Sequence, residues 1–114
     1  MRLSPLTAMY ICAYTRFVEY EWDPAKANAN FHKHGVHFSD VISVFEDDFA
    51  LTIRDPYSDE EERWITLGVD LFGKLFVVVY AWRDETIRLI SARPAAPRER
   101  QEYQNAGSIG SPPE

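Results

Sequence analysis

Arg63, Arg88, Arg93 and Arg100 carry fixed positive charge, and Glu62 and His34 can move protons. Cations beside proton-transfer groups suit a reaction at a phosphate. Guanidinium groups stabilise growing negative charge while an acid and a base relay protons. An imidazole titrates near neutrality, so His34 could act in either direction. A histidine near a helix C-terminus also complements the helix dipole, which is a purely structural use of the same residue. Glu62 and Arg63 are adjacent, so on a strand they point to opposite faces unless the strand begins at Trp64. Arg88 and Arg93 have odd spacing and diverge in the same way on a regular strand. Arg100 and Tyr103 lie one helical turn apart, where they can offer phosphate and stacking contacts or simply face water.

The elements that must hold these groups are marked along the chain. Asp23 is a good N-cap, Pro24 suits the first helical position, and Gly35 stands where a left-handed cap would stop the helix. Within Pro24–His34, Lys26, Asn30 and Lys33 share one face, while Ala27, Phe31 and His34 share a neighbouring one. The expectation is a basic, amide-bearing face able to meet phosphates and an apolar face set in a core. Lys26 and Lys33 read equally as phosphate contacts and as solvated lysines. A second helix is predicted from a Ser39 cap to about Phe45. Strands are predicted at Phe17–Trp22, Phe49–Arg54, Glu62–Val69, Lys74–Trp82 and Thr86–Ala92. LFVVVYA is apolar on both faces, so it is the predicted central strand. A last, poorly amphipathic helix is predicted from Pro97 to about Ala106, with Tyr103 and Ala106 as its core contacts.

The order β-α-α-β-β-β-β-α with short turns predicts an α+β fold, mainly antiparallel, with helices packed on one face. Residues 17–106 form the expected domain. Residues 1–16 are read as an extension, disordered or produced by the choice of start site, with Met9 as an alternative start; residues 107–114 are read as a disordered tail.

The segment from Trp22 to Gly35, W-D-x-x-K-x-x-x-N-x-x-K-H-G, resembles the opening signature of the BrnT family, the toxin half of a bacterial type II toxin–antitoxin pair. The likeness continues in order through Glu62-Arg63 after an acidic loop, LFVVVY, IRLISAR and RERQEY, spanning Phe17 to Tyr103. It implies a RelE-like fold and a metal-independent ribonuclease, neutralised by a ribbon-helix-helix antitoxin that alone carries the complex to operator DNA. On that basis Arg93 is the expected phosphate contact and Arg63 stabilises transition-state charge. Glu62 or His34 transfers protons, and Lys26, Lys33, Arg88, Arg100 and Tyr103 contact RNA. Many family members place a lysine after the arginine of ISAR. Here that position is Pro94, so one cation of the pattern is missing.

The bulk numbers fit one small cytoplasmic domain. The 114 residues are 46% hydrophobic and 14% aromatic, enough for a folded core. No apolar run is long enough for a membrane span. A single cysteine, Cys12, cannot form an internal disulfide, as suits a reducing compartment. The net charge of −6 runs against nucleic-acid binding, but it is segregated. From Asp40 to Glu62 there are nine acids and one base; from Arg88 to Arg100 there are four arginines and one acid. His32 and His34 would sit about 200° apart on a helix, so with His37 they do not converge, and neither metal nor cofactor is expected. Two rival readings remain: a degenerate toxin that only binds its antitoxin as a corepressor module, and a small-ligand β-sheet protein.

Overall fold

Asp23 and Gly35 bracket the first helix as their chemistry requires. In the computed structural model, which describes residues 11–15, 18–58 and 61–110, α1 runs Pro24–His34. The Asp23 carboxylate accepts the Ala25 N–H at 2.9 Å. Gly35 adopts φ 71°, a left-handed value that glycine tolerates without strain, and returns its N–H to the Phe31 carbonyl at 2.7 Å.

A mixed sheet follows the order β1-β2-β6-β5-β4-β3. Its strands are β1 (Ile11–Thr15), β2 (Val18–Trp22), β3 (Leu51–Arg54), β4 (Trp64–Val69), β5 (Leu75–Arg83) and β6 (Thr86–Pro94). All neighbours pair antiparallel except β2 and β6, which run parallel over Glu19–Glu21 and Thr86–Arg88. Alternation sorts β5 as expected: Phe76, Val78 and Tyr80 join one core, Leu75 and Val77 the other. On the first face, α1 and a 3-10 helix (Phe38–Glu46) cover the larger core, where Phe38, Val41, Val44 and Val78 are fully enclosed.

The α+β reading holds, and several details change. Ile11–Thr15, expected as part of an extension without a strand pattern of its own, pairs with β2 along Val18–Trp22 as an edge strand. Residues 1–10 and 111–114, and with them the Met9 start and the end of the tail, lie outside the described residues. The second helix is 3-10 rather than α, and Ser39 does not cap it: His37 holds the N-cap position without a side-chain bond. The last helix, α2, runs Pro97–Gly110, past the expected end at Ala106. The helices also do not share one face. Tyr103 of α2 packs against Leu67, Leu75 and Val77, on the side opposite α1.

The faces of α1 are reassigned as well. Asn30, expected outside beside Lys26 and Lys33, is 6% exposed, whereas Phe31 is 38% exposed and stacks on His37 at 4.1 Å. The cause lies in β6. Its parallel pairing with β2 stops at Arg88, so the edge beyond lacks a strand neighbour there. The Asn30 amide fills that place. Its Nδ2 donates to the carbonyls of Ala92 (2.9 Å) and Val36 (3.0 Å), and its Oδ1 accepts the Ala92 N–H (3.0 Å). A buried backbone must find partners, and here one side chain imitates a missing strand.

Candidate active site

β6 is irregular, and that irregularity builds the site. Val79 of β5 pairs with Ser91 but Tyr80 pairs with Leu89, so Ile90 is an extra residue on β6. A bulge of one residue inverts the alternation beyond it. Ile87, Leu89 and Ala92 all join the larger core, which leaves Arg88 and Arg93 together on the other face. The expected divergence of these two arginines, true for a regular strand, is therefore corrected.

Arg93 does not project alone. Its Nη1 and Nη2 donate to the two carboxylate oxygens of Glu99 at 2.9 and 2.7 Å. Glu99 lies in the first turn of α2, where Oε1 also accepts the Ala96 N–H at 2.7 Å. That is half of a capping box, a carboxylate reaching back to the residue before the helix. Hydrogen bonding from Arg93 holds the Glu99 carboxyl below its usual range despite partial burial; the same bonds keep Arg93 more firmly protonated. Glu99 was not among the expected site residues. The available signal was its position, three residues after Ala96 in a helix opened by Pro97.

Beside this pair lies an open cleft of about 540 Å³. Leu51 and Ile53 of β3, Ile65 and Leu67 of β4, and Val77 and Val79 of β5 form its floor; Arg93, Glu99 and Glu102 close one end. α2 is fixed there through Asp47. The Tyr103 hydroxyl donates to Asp47 Oδ2 at 2.6 Å, and the same carboxylate accepts the N–H groups of Val69 and Phe49 at 3.0 Å each. Burial would raise the Asp47 carboxyl, but these three bonds outweigh it and hold the group below its ordinary value. Burial and the carboxylate together push the Tyr103 hydroxyl up to about 12. Gly68 makes this approach possible: a Cβ there would meet Val44, Ala50 and the Asp47 carboxylate at 3.0–3.2 Å.

The other expected residues are spread more widely. β4 begins at Trp64, so Glu62 and Arg63 precede the strand rather than starting it. Glu62 is 3.5 Å from Arg54, and Arg63 is 3.8 Å from Glu61. Arg93 pairs across to Val77 and thence to Leu67. Arg63 stands four residues before Leu67, roughly 13 Å along the strand direction. The level of Arg63 is that of Arg88, whose β5 partner Ala81 follows Tyr80. Arg63 and Arg88 thus mark one end of the sheet and Arg93 the other. His34 is half-buried, and Lys26 and Lys33 are exposed, all on α1. Arg100 is exposed, with a long contact of 3.5 Å to the Ala95 carbonyl. Among the described residues no three of His, Cys, Asp or Glu gather as a metal site. No helix among them is long and apolar enough to cross a membrane.

The fold is an α+β domain whose mixed sheet carries Arg88 and Arg93 on one face, with Arg93 held by Glu99. Residues 22–99, more than half of the chain, match the family model described as "Ribonuclease toxin, BrnT, of type II toxin-antitoxin system", and the chain belongs to that family. Among solved structures, the 1.1 Å crystal structure of the Brucella abortus ribonuclease toxin, BrnT, is similar in fold. It is 23% identical with a TM-score of 0.52, and the likeness covers 66% of this chain and 92% of that one. No curated protein matches the chain.

Proposed function

We propose that this chain is an endoribonuclease toxin that cuts cellular RNA without a metal ion. The 2′-oxygen forms a bond to the adjacent phosphorus, the bond from phosphorus to the 5′-oxygen breaks, and a 2′,3′-cyclic phosphate and a 5′-hydroxyl result. A base takes the 2′-proton, an acid returns one to the 5′-oxygen, and cations carry the charge that builds on the phosphoryl oxygens. The carrying observation is the bulge at Ile90, which turns Arg88 and Arg93 to one face. Arg93 is the phosphate contact, taking a phosphoryl oxygen in place of Glu99. Glu99, then released beside the substrate, is the nearest carboxylate to receive the 2′-proton. Arg63 and Arg88 hold the RNA strand further along the face, with Arg100 and Tyr103 of α2 as outer contacts; Lys26, Lys33 and His34 lie on α1, which covers the opposite face of the sheet, and fall outside this site. Glu62, which with His34 was a proton-transfer group expected from the sequence, is the weaker choice because it precedes β4 at the end of the sheet away from Arg93.

The toxin acts in the cytoplasm, and a cognate ribbon-helix-helix antitoxin neutralises it and brings the complex to operator DNA. One pair of observations favours a second reading, a degenerate toxin that serves only as a corepressor module. Pro94 replaces a cation of the family pattern, and Arg93 is already engaged by Glu99. The deciding experiment is cleavage of a defined RNA, with product ends identified, by wild type and Arg93→Ala in EDTA. Cyclic phosphate ends from the wild type and about 100-fold slower cleavage by the mutant are expected. Inhibition by EDTA overturns the metal-free route. Absence of cleavage by the wild type, with antitoxin binding intact, selects the corepressor reading.

A further inference from the structure

The cleft beside Arg93 has the composition of a protein-binding groove rather than an RNA-binding one. Its floor is aliphatic, drawn from three neighbouring strands. β3 ends the described sheet, and its outward edge carries Thr52, Ile53 and Arg54, all exposed, with Ile53 at 59%. Phe49, just before the strand, is 62% exposed. An exposed apolar edge strand is a template for another strand. The charged lining of the cleft is one cation, Arg93, and two acids, Glu99 and Glu102. Arg93 is already matched by Glu99, and Glu102 has no ion-pair partner among the described residues; Asp48, exposed just before the strand, has none there either. RNA reaches Arg93 at the end of the cleft, whereas the aliphatic floor beyond it offers phosphates no cation. A second copy of this chain would set the same acids against themselves.

We infer that β3 and its cleft form the antitoxin-docking surface. The occupant is an extended antitoxin segment in which apolar residues alternate with lysine or arginine. It adds as a strand along β3, lays its apolar side chains over Ile53 and Ile65, and sets its basic ones against Asp48 and Glu102. The inference rests on the toxin reading above and explains how neutralisation works at that site. The cleft ends at Arg93 and Glu99, so an occupant closes the approach to the phosphate contact.

The test uses the full chain and its cognate antitoxin. Ile53→Lys and Glu102→Lys change exposed side chains outside the catalytic groups; thermal melts verify the fold, and Phe72→Ser, at a side chain 92% exposed and outside the cleft, is the control. Binding to the antitoxin is expected to weaken at least 30-fold for Ile53→Lys and several-fold for Glu102→Lys, the latter more at low salt. Both variants should still arrest growth, now without rescue by the antitoxin. Unchanged antitoxin affinity and rescue in both variants overturns the docking surface while leaving the ribonuclease reading intact. A loss of RNA cleavage in folded Ile53→Lys assigns the cleft to RNA and overturns it too, as does conversion of a dimer to a monomer, which assigns it to a second copy. If the wild type neither cuts RNA nor arrests growth, the toxin reading fails, and the affinities alone still decide where the antitoxin binds.

Discussion

Asn30 shows how one side chain can be worth several ordinary contacts. Its amide meets three backbone groups at 2.9–3.0 Å. Asn30→Ala leaves them buried and unpaired, a loss on the order of 3 kcal/mol, because each orphaned group keeps its desolvation cost. Denaturant melts would measure it; a loss under ~1 kcal/mol would mean water enters to replace the amide. Glu99 has partners of different kinds, the Arg93 guanidinium and the Ala96 N–H. Glu99→Gln preserves the cap to Ala96 but removes the charge that engages Arg93. RNA should then bind more tightly, seen as a lower KM, while kcat falls about 100-fold if the carboxylate is the base. A rise in kcat would make Glu99 only an obstacle to the phosphate. Such dual use is hard to read from a sequence. Asn30 looked like a surface amide because its lysine neighbours are solvated, and nothing local says that β2 stops short of Ala92.

Among the elements, α2 is the one held mainly by polar contacts. Its anchors are the Arg93–Glu99 pair and the Tyr103–Asp47 bond. Glu99 and Asp47 are both held below the usual carboxyl range. Their contribution is complete above an unfolded value of about 4 and fades as the pH falls below it. The Tyr103 hydroxyl is raised from 10.0 to about 12, so its contribution is complete below pH 10 and lost as the pH climbs toward 12. Hydrogen exchange at α2 amides should therefore speed up at both extremes before β5 amides respond. Matching changes in α2 and β5 would show that the helix leaves only with the whole fold. The helices and strands themselves were legible where capping and alternation are strong, as at Asp23–Gly35 and along β5. Boundaries next to loops were not, because the start of β4 and the bulge in β6 depend on what lies across the sheet.

At the scale of the molecule, the sheet places two layers on opposite faces, and its apolar strand is the shared wall. Val78 is fully buried at the centre of the larger core. Val78→Asp should abolish cooperative melting, since an unpaired buried carboxylate costs several kcal/mol; a soluble, sharply melting variant would contradict the central placement of β5. β1 covers the outer edge of β2, so removal of residues 1–16 uncovers a strand beside the parallel seam. A fall of more than about 5 °C in Tm and concentration-dependent association are expected. An unchanged melt and a monomeric truncated chain would show that β1 adds nothing to the domain.

The parallel seam also orders events in time. β2 and α1 are synthesised early, yet the strand that receives them is β6, and Asn30 finds Ala92 sixty-two positions later. At roughly 5–20 residues per second, that separation is about 3–12 s of translation. Through this interval β2 and α1 have no β6 to join, and the bulge that turns Arg88 and Arg93 to one face does not yet exist. Arg88 and Arg93 therefore come to share one face only after β6 has been made, late in synthesis.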